Sequence, residues 1–177
     1  MILPELEPIV KKHAEQAGLC WQDLAALVDV ESSGGRDNNP RVEARIKDIS
    51  LGPCQVLSAT AAWLLETDKI HDPEVVARLH SGIESAAFQG IRGIWRVMEE
   101  VDSGIGIGAA YLKWQLDRYG NIVDAVAAYN AGSVIRRGDG YVNQHYVDKW
   151  AAAREAYHAE DEDLDDRSSG PPVPSAW

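Results

Sequence analysis

With 177 residues, 45% of them apolar, the chain has enough material for one globular domain with a core of its own. A net charge of −11 argues against the basic face that nucleic-acid binding needs, and no apolar run approaches the roughly 20 residues of a membrane-crossing helix. The first residues lack a basic stretch followed by an apolar one, so no secretory signal is expected.

Spacing is helical nearly throughout. Leu6, Ile9, Val10 and His13 share one face, and Gly18 marks a stop. A second helix is predicted from Trp21 to Glu31, and a third near Leu57, carrying Ala61, Leu64 and Leu65 on one side. Asp72-Pro73 starts a short helix through Leu79, and a further helix is predicted over roughly 83–101. The stripe Ile105, Ala109, Leu112, Leu116, Tyr119 ends at Gly120. Asn121 caps the next helix, with Ile122, Ala125, Val126 and Tyr129 on one face. A last helix places Val142, Tyr146, Trp150, Ala153 and Tyr157 together.

Two stretches break the pattern. Residues 32–50 contain Gly34, Gly35, Asn38, Asn39 and Pro40 and read as a long loop with room for a small β-hairpin. Residues 159–177 hold six acids against one base, followed by Ser168-Ser169-Gly170-Pro171-Pro172, and are expected as a disordered tail. The fold class is therefore a mostly α single domain over 1–158. Cys20 and Cys54 are expected as reduced, buried thiols, with a bridge between them as the alternative.

Glu31 is the first candidate for chemistry. Leu24, Leu27 and Val28 precede it by seven, four and three residues, so its carboxyl leaves the apolar face of its own helix. Apolar surroundings disfavour the charged form and hold a glutamate protonated near neutral pH, as a general acid requires. The plain alternative is a helix-end glutamate in solvent or paired with Arg36. Asp48 and Asp37 follow in the loop and offer a second carboxylate, or merely cap turns. Arg36, Arg41, Arg45 and Lys47 give the same loop local positive charge, or a solvated surface. The six tryptophans are read mostly as core or rim packing, although they offer faces for sugar rings. The five histidines show no metal-ligand spacing, and no metal or cofactor is expected. Gly104-Ile105-Gly106-Ile107-Gly108 lacks the preceding strand of a dinucleotide loop and is read as close helix packing.

Glu31-Ser32, Gly52-Pro53-Cys54-Gln55 and Ala128-Tyr129-Asn130 occur in that order. Gln55-Val56-Leu57 with Thr60-Ala61, Gly108-Ala109-Ala110-Tyr111-Leu112 and Tyr146-Val147 accompany them. Over roughly residues 20–150 this resembles the lytic transglycosylases with a soluble-transglycosylase catalytic domain, and more distantly the goose-type lysozymes. Pro53-Cys54 stands where that family usually has Leu-Met, and Gly104 where an Asn often precedes the Ile. The interval from Glu31 to Gln55 is closer to the goose-type spacing.

The resemblance implies a lysozyme-like fold acting on peptidoglycan glycan strands. Glu31 would be the single acid and base, with Ser32 positioning it or the substrate. Gln55 and Tyr146 would contact sugar, Tyr129 would hydrogen-bond near the Glu31 carboxyl, and Asn130 would sit beside an acetamido group. The expected reaction cuts between N-acetylmuramic acid and N-acetylglucosamine and leaves a 1,6-anhydro end. A goose-type hydrolase using Asp48 or Asp37 is the alternative, and a non-catalytic glycan-binding protein a further one. A monomer is expected, made in the cytoplasm and acting on the wall or periplasm, as a phage lysin released by a holin or carried on the virion.

Overall fold

Most helix boundaries in this computed structural model have a local cause. The structure describes residues 1–85 and 90–168, the last seven of these by backbone alone. A 3-10 turn, Pro4–Leu6, leads into α1 (Glu7–Ala17), which ends where Gly18 adopts the left-handed conformation. α2 (Trp21–Ser32) follows and carries Leu24, Leu27 and Val28 into the core. Three short strands, β1 (Arg41–Glu43), β2 (Asp48–Leu51) and β3 (Val56–Leu57), form an antiparallel sheet in that order. β1 pairs with β2 through Val42 and Ile49, and β2 with β3 through Leu51 and Val56. The hairpin expected in the loop is therefore present, with a third strand added.

α3 (Ser58–Glu66) leads to α4 (Pro73–Glu84), whose N-terminus is capped by the Asp72 side chain accepting from Glu74 N at 2.8 Å. The single helix predicted over 83–101 is not formed. α4 runs to Glu84, and α5 (Ile91–Glu99) starts after Gly90, while residues 86–89 lie outside the described residues. Glu100 is extended, at φ −69 and ψ 124, and separates α5 from α6 (Val101–Tyr119). α7 (Ile122–Ala131) begins at Asn121, whose side chain accepts from Asp124 N at 2.8 Å. A hairpin of β4 (Arg136–Arg137) and β5 (Gly140–Tyr141) precedes α8 (Gln144–Ser168).

α6 is the axis of the domain. Every residue from Ser103 to Ala110 is buried, and α1, α5 and α7 pack around it. Its glycines make this possible. A Cβ on Gly104 would lie 2.6 Å from the Met98 carbonyl oxygen, and one on Gly108 would overlap the Cys54 side chain. The glycine run is thus close packing inside a helix, and it lets the turn between β2 and β3 sit directly on α6.

α8 closes the domain against α2. Trp150, 2% exposed, donates from Nε1 to the Asp23 carbonyl at 3.1 Å, and Arg154 Nε pairs with the Asp23 carboxylate. Val142 precedes this helix and is exposed, whereas Val147, Trp150 and Tyr157 carry its buried face. α8 also runs ten residues beyond the boundary expected at 158. Within it Asp161 accepts from Trp21 Nε1 at 3.1 Å and from Gln22 Nε2 at 2.6 Å. Residues 159–168 are helical where a tail was expected, and Asp161 of the acid run is held by these two donors on α2. The remainder of that tail, 169–177, lies outside the described residues. Both cysteines are free thiols. Cys54 is buried, but Cys20 is exposed, since it precedes α2 at the surface.

Candidate active site

The last turn of α2 delivers Glu31 to the floor of a groove of about 470 Å³, walled by the small sheet, by α6 and by the end of α7. Ser33 takes the left-handed conformation that ends the helix. Ser32 is fully buried behind it, its Oγ donating to the Val28 carbonyl at 2.9 Å and accepting from Gly35 N at 3.0 Å. Ser32 does not line the groove. It fastens the chain that leaves the helix, and so positions Glu31 from behind.

Glu31 is 9% exposed. Burial raises its pKa from 4.5 to about 7, partly opposed by a hydrogen bond from Tyr146 and by the charge of Arg41, and assisted by the negative charge of Glu43. The Tyr146 hydroxyl donates to Glu31 Oε1 at 2.6 Å. Arg41 Nη2 donates at 2.8 Å to the Glu31 main-chain carbonyl, tying β1 to the end of α2. A carboxyl half ionised near pH 7 can give a proton and take one back, and the hydroxyl at its edge fixes its orientation.

Gln55, Tyr129 and Asn130 all line the same groove. Gln55 adopts a left-handed φ of 46 and is pinned on both sides. Its Oε1 accepts from Ser50 Oγ at 3.1 Å, and its Nε2 donates to the carbonyls of Gly52 at 2.9 Å and Asn39 at 3.3 Å. Tyr129 does not hydrogen-bond to Glu31. Its hydroxyl donates to the Cys54 carbonyl at 2.9 Å, and burial holds that hydroxyl's pKa well above the usual value. The tyrosine on the carboxyl is Tyr146, 115 residues away in sequence. Asn130 is exposed on the rim, with Oδ1 accepting from Asn143 Nδ2 at 2.9 Å.

Neither loop aspartate is a groove residue. Asp48 accepts from Ile49 N at 2.7 Å, from Ser58 Oγ and from Ala59 N at 3.2 Å, so it secures the start of α3. Asp37 is half-buried, accepts from Asn39 Nδ2 at 2.8 Å and pairs with Arg41 Nη2 at 3.6 Å. The carboxylate that does face the groove with Glu31 is Glu43, which residue spacing alone did not single out. Its signal was the alternation Arg41-Val42-Glu43. Val42 is 76% exposed and points away, so Arg41 and Glu43 turn the other way, into the groove. Tyr111 on α6 and Thr60 on α3 complete the wall. Tyr111 lies three residues beyond Gly108, one helical turn along the same face.

The family described as Transglycosylase SLT domain matches residues 95–152. The matched segment starts within α5, takes in Tyr111, Tyr129, Asn130 and Tyr146, and begins after Glu31 and Gln55. No curated protein and no solved structure matches the chain.

Proposed function

We propose, from the match of residues 95–152 to the Transglycosylase SLT domain family, that Glu31 is the single acid and base of a peptidoglycan lytic transglycosylase. The observation that carries the reading is a buried carboxyl poised at about pH 7 on the floor of a groove, held by the Tyr146 hydroxyl. Glu31 gives its proton to the oxygen linking N-acetylmuramic acid to N-acetylglucosamine, and that bond breaks. The resulting carboxylate then takes the proton of the muramyl 6-hydroxyl, whose oxygen bonds to its own C1. A 1,6-anhydro end forms and the enzyme recovers its proton, with no water consumed. One carboxylate suffices because the nucleophile belongs to the substrate. Asn130 on the rim is the residue offered to an acetamido group. Tyr146 orients the acid, and Gln55 and Tyr129 shape the wall.

Glu43 favours a second reading. It shares the groove with Glu31 and acts on its charge, so it can serve as the base that holds a water in hydrolysis, a role that the positions of Asp48 and Asp37 do not suit. Mass spectrometry of fragments released from purified walls separates the two, since anhydro and reducing ends differ by one water. Glu31→Gln keeps side-chain volume and removes the transferable proton, so fragment release should fall at least 100-fold. Activity retained in that variant overturns both readings and leaves a glycan-binding protein. Action on the wall outside the membrane follows from that substrate, and a monomer released or carried by a phage is the form we propose for it.

A further inference from the structure

The Glu31 groove does not end at Tyr111. Thr60, Tyr111 and Gly132 also wall a second concavity of about 280 Å³, whose other sides are Ala59, Trp63 and Trp114. Its three rings support one another. Trp63 and Trp114 meet edge to face at 4.7 Å between centroids, and Tyr111 lies within 13° of parallel to Trp114 at 6.0 Å. Trp63 and Trp114 are only half-buried, so each keeps aromatic surface open to solvent beside the groove.

Trp114 is also a wall of a third concavity, of about 320 Å³, lined by Lys69, His71, Lys113, Asp117 and Arg118. The Arg118 guanidinium lies 5.4 Å from the Trp114 ring centroid, and Lys113 pairs with Asp117. Two lysines and an arginine against one aspartate make this a basic spot on a chain whose net charge is −11.

A pyranose ring has an apolar face that packs on an aromatic ring, and a half-buried tryptophan held by neighbouring rings presents such a surface at little entropic cost. A cluster of cations on an acidic protein selects and steers a local anion. The two features adjoin at Trp114 and are continuous with the Glu31 groove. We propose that this trough is a further subsite for the same strand: a sugar ring beyond the bond being cut stacks on Trp114 and Trp63, and the basic pocket takes a carboxylate of the peptide stem on a muramyl residue. The inference rests on the peptidoglycan reading of the Glu31 groove. It adds to that reading a preference for strands long enough to reach Trp114 and still bearing their peptides.

The test uses the full chain carrying Glu31→Gln, so that ligands are bound without being cut. Titration calorimetry follows uncharged oligomers of β-1,4-linked N-acetylglucosamine of increasing length, then glycan strands with their peptides and the same strands stripped of them by an amidase. Affinity should rise again when the oligomer becomes long enough to reach the trough. Trp114→Leu should remove that increment, roughly tenfold, and Trp114→Phe should restore most of it. Lys69→Gln with Lys113→Gln should weaken peptide-bearing strands several-fold, more at low salt than at high, and leave stripped strands as before. Melting curves identify any variant that has lost its fold, and the Phe variant then decides for Trp114. Equal affinity of the Leu variant and its parent for every length overturns the ring subsite. Unchanged preference for peptide-bearing strands in the double lysine variant overturns the basic end. Absence of binding to every saccharide overturns the peptidoglycan reading with it, whereas cleavage of walls by the native chain with no effect at Trp114 overturns the subsite alone.

Discussion

Glu31→Gln should make the protein more stable, and only above the acid range. The folded pKa of about 7 lies above the ordinary 4.5 because ionising the carboxyl in its buried position costs solvation. Between these values the folded state holds a proton that the unfolded state has released, so the slope of stability against pH is negative there. The stability attached to this group is complete below about pH 4.5, falls as pH rises, and is fully lost above about 7. Each pH unit of that window is worth about 1.4 kcal/mol, so the wild type should lose roughly 3 kcal/mol across it relative to the glutamine variant. The amide has no proton to lose, and Tyr146 can still donate to its oxygen. The two proteins should therefore unfold at similar denaturant concentrations at pH 4 and diverge by pH 8. There the variant should melt higher by roughly 6–12 °C, given about 2–4 °C per kcal/mol for a chain of this size. Urea unfolding at half-unit pH steps with a common slope gives the difference directly, and titrations shared by both proteins cancel. Parallel curves from pH 5 to 8 would show that the carboxyl is not desolvated. The acid-base reading of Glu31 would fall with that result.

Tyr146→Phe removes the 2.6 Å hydrogen bond that favours the ionised form of Glu31. The alkaline limb of kcat/KM, where Glu31 loses its proton, should move up by about one pH unit, and a limb that stays put or moves down would show that the hydroxyl does not govern the acid. Gly108→Ala drives a Cβ into Cys54 at the turn that carries Gln55, and should cost about 1–3 kcal/mol in urea unfolding; an unchanged midpoint would mean that α6 and the turn are not in contact as described.

How much of this was legible in the sequence depends on the range of the forces involved. Gly18, Gly120, Asn121 and Asp72 act on backbone within a few residues of themselves, and the helices they punctuate end or begin where they stand. The break at Glu100 was not legible, because apolar residues continue at helical spacing across Glu99, Glu100 and Val101. The chain turns there because α5 and α6 must pack against each other, and that demand is tertiary. The groove residues follow the same division. Motif order brought Glu31, Gln55, Tyr129, Asn130 and Tyr146 to one region, but it offered Tyr129 as the hydroxyl near the Glu31 carboxyl, where Tyr146 stands. Tyr129 reaches Cys54 across 75 residues and Tyr146 reaches Glu31 across 115, and no local pattern encodes which hydroxyl arrives where. Asp161 was read with the tail for the same reason, since its donors Trp21 and Gln22 lie about 140 residues earlier.

The polar residues in and behind the groove divide into those that hold it together and those left to meet a ligand. Ser32, Gln55 and the Tyr129 hydroxyl are buried and committed to carbonyls, amides or one another's segments, so their bonds fix the end of α2, the turn before β3 and α7 relative to each other. Removing any of them would leave a buried partner unpaired and would loosen the walls. Asn130 and Glu43 are exposed and stand on the open side, whereas Arg41, also exposed there, is held by the Glu31 main-chain carbonyl. Glu31 belongs to both groups: its main-chain carbonyl is tied to Arg41 and one carboxyl oxygen to Tyr146, while its side chain still lines the groove. A carboxyl oriented by bonds that already exist before substrate arrives needs no reorganisation when a proton is transferred, and that is the condition under which one group can serve as acid and then as base. Mutations at the committed residues should therefore resemble one another and lower stability and activity together. Mutations at Asn130, on the open rim, should lower affinity and leave the fold alone.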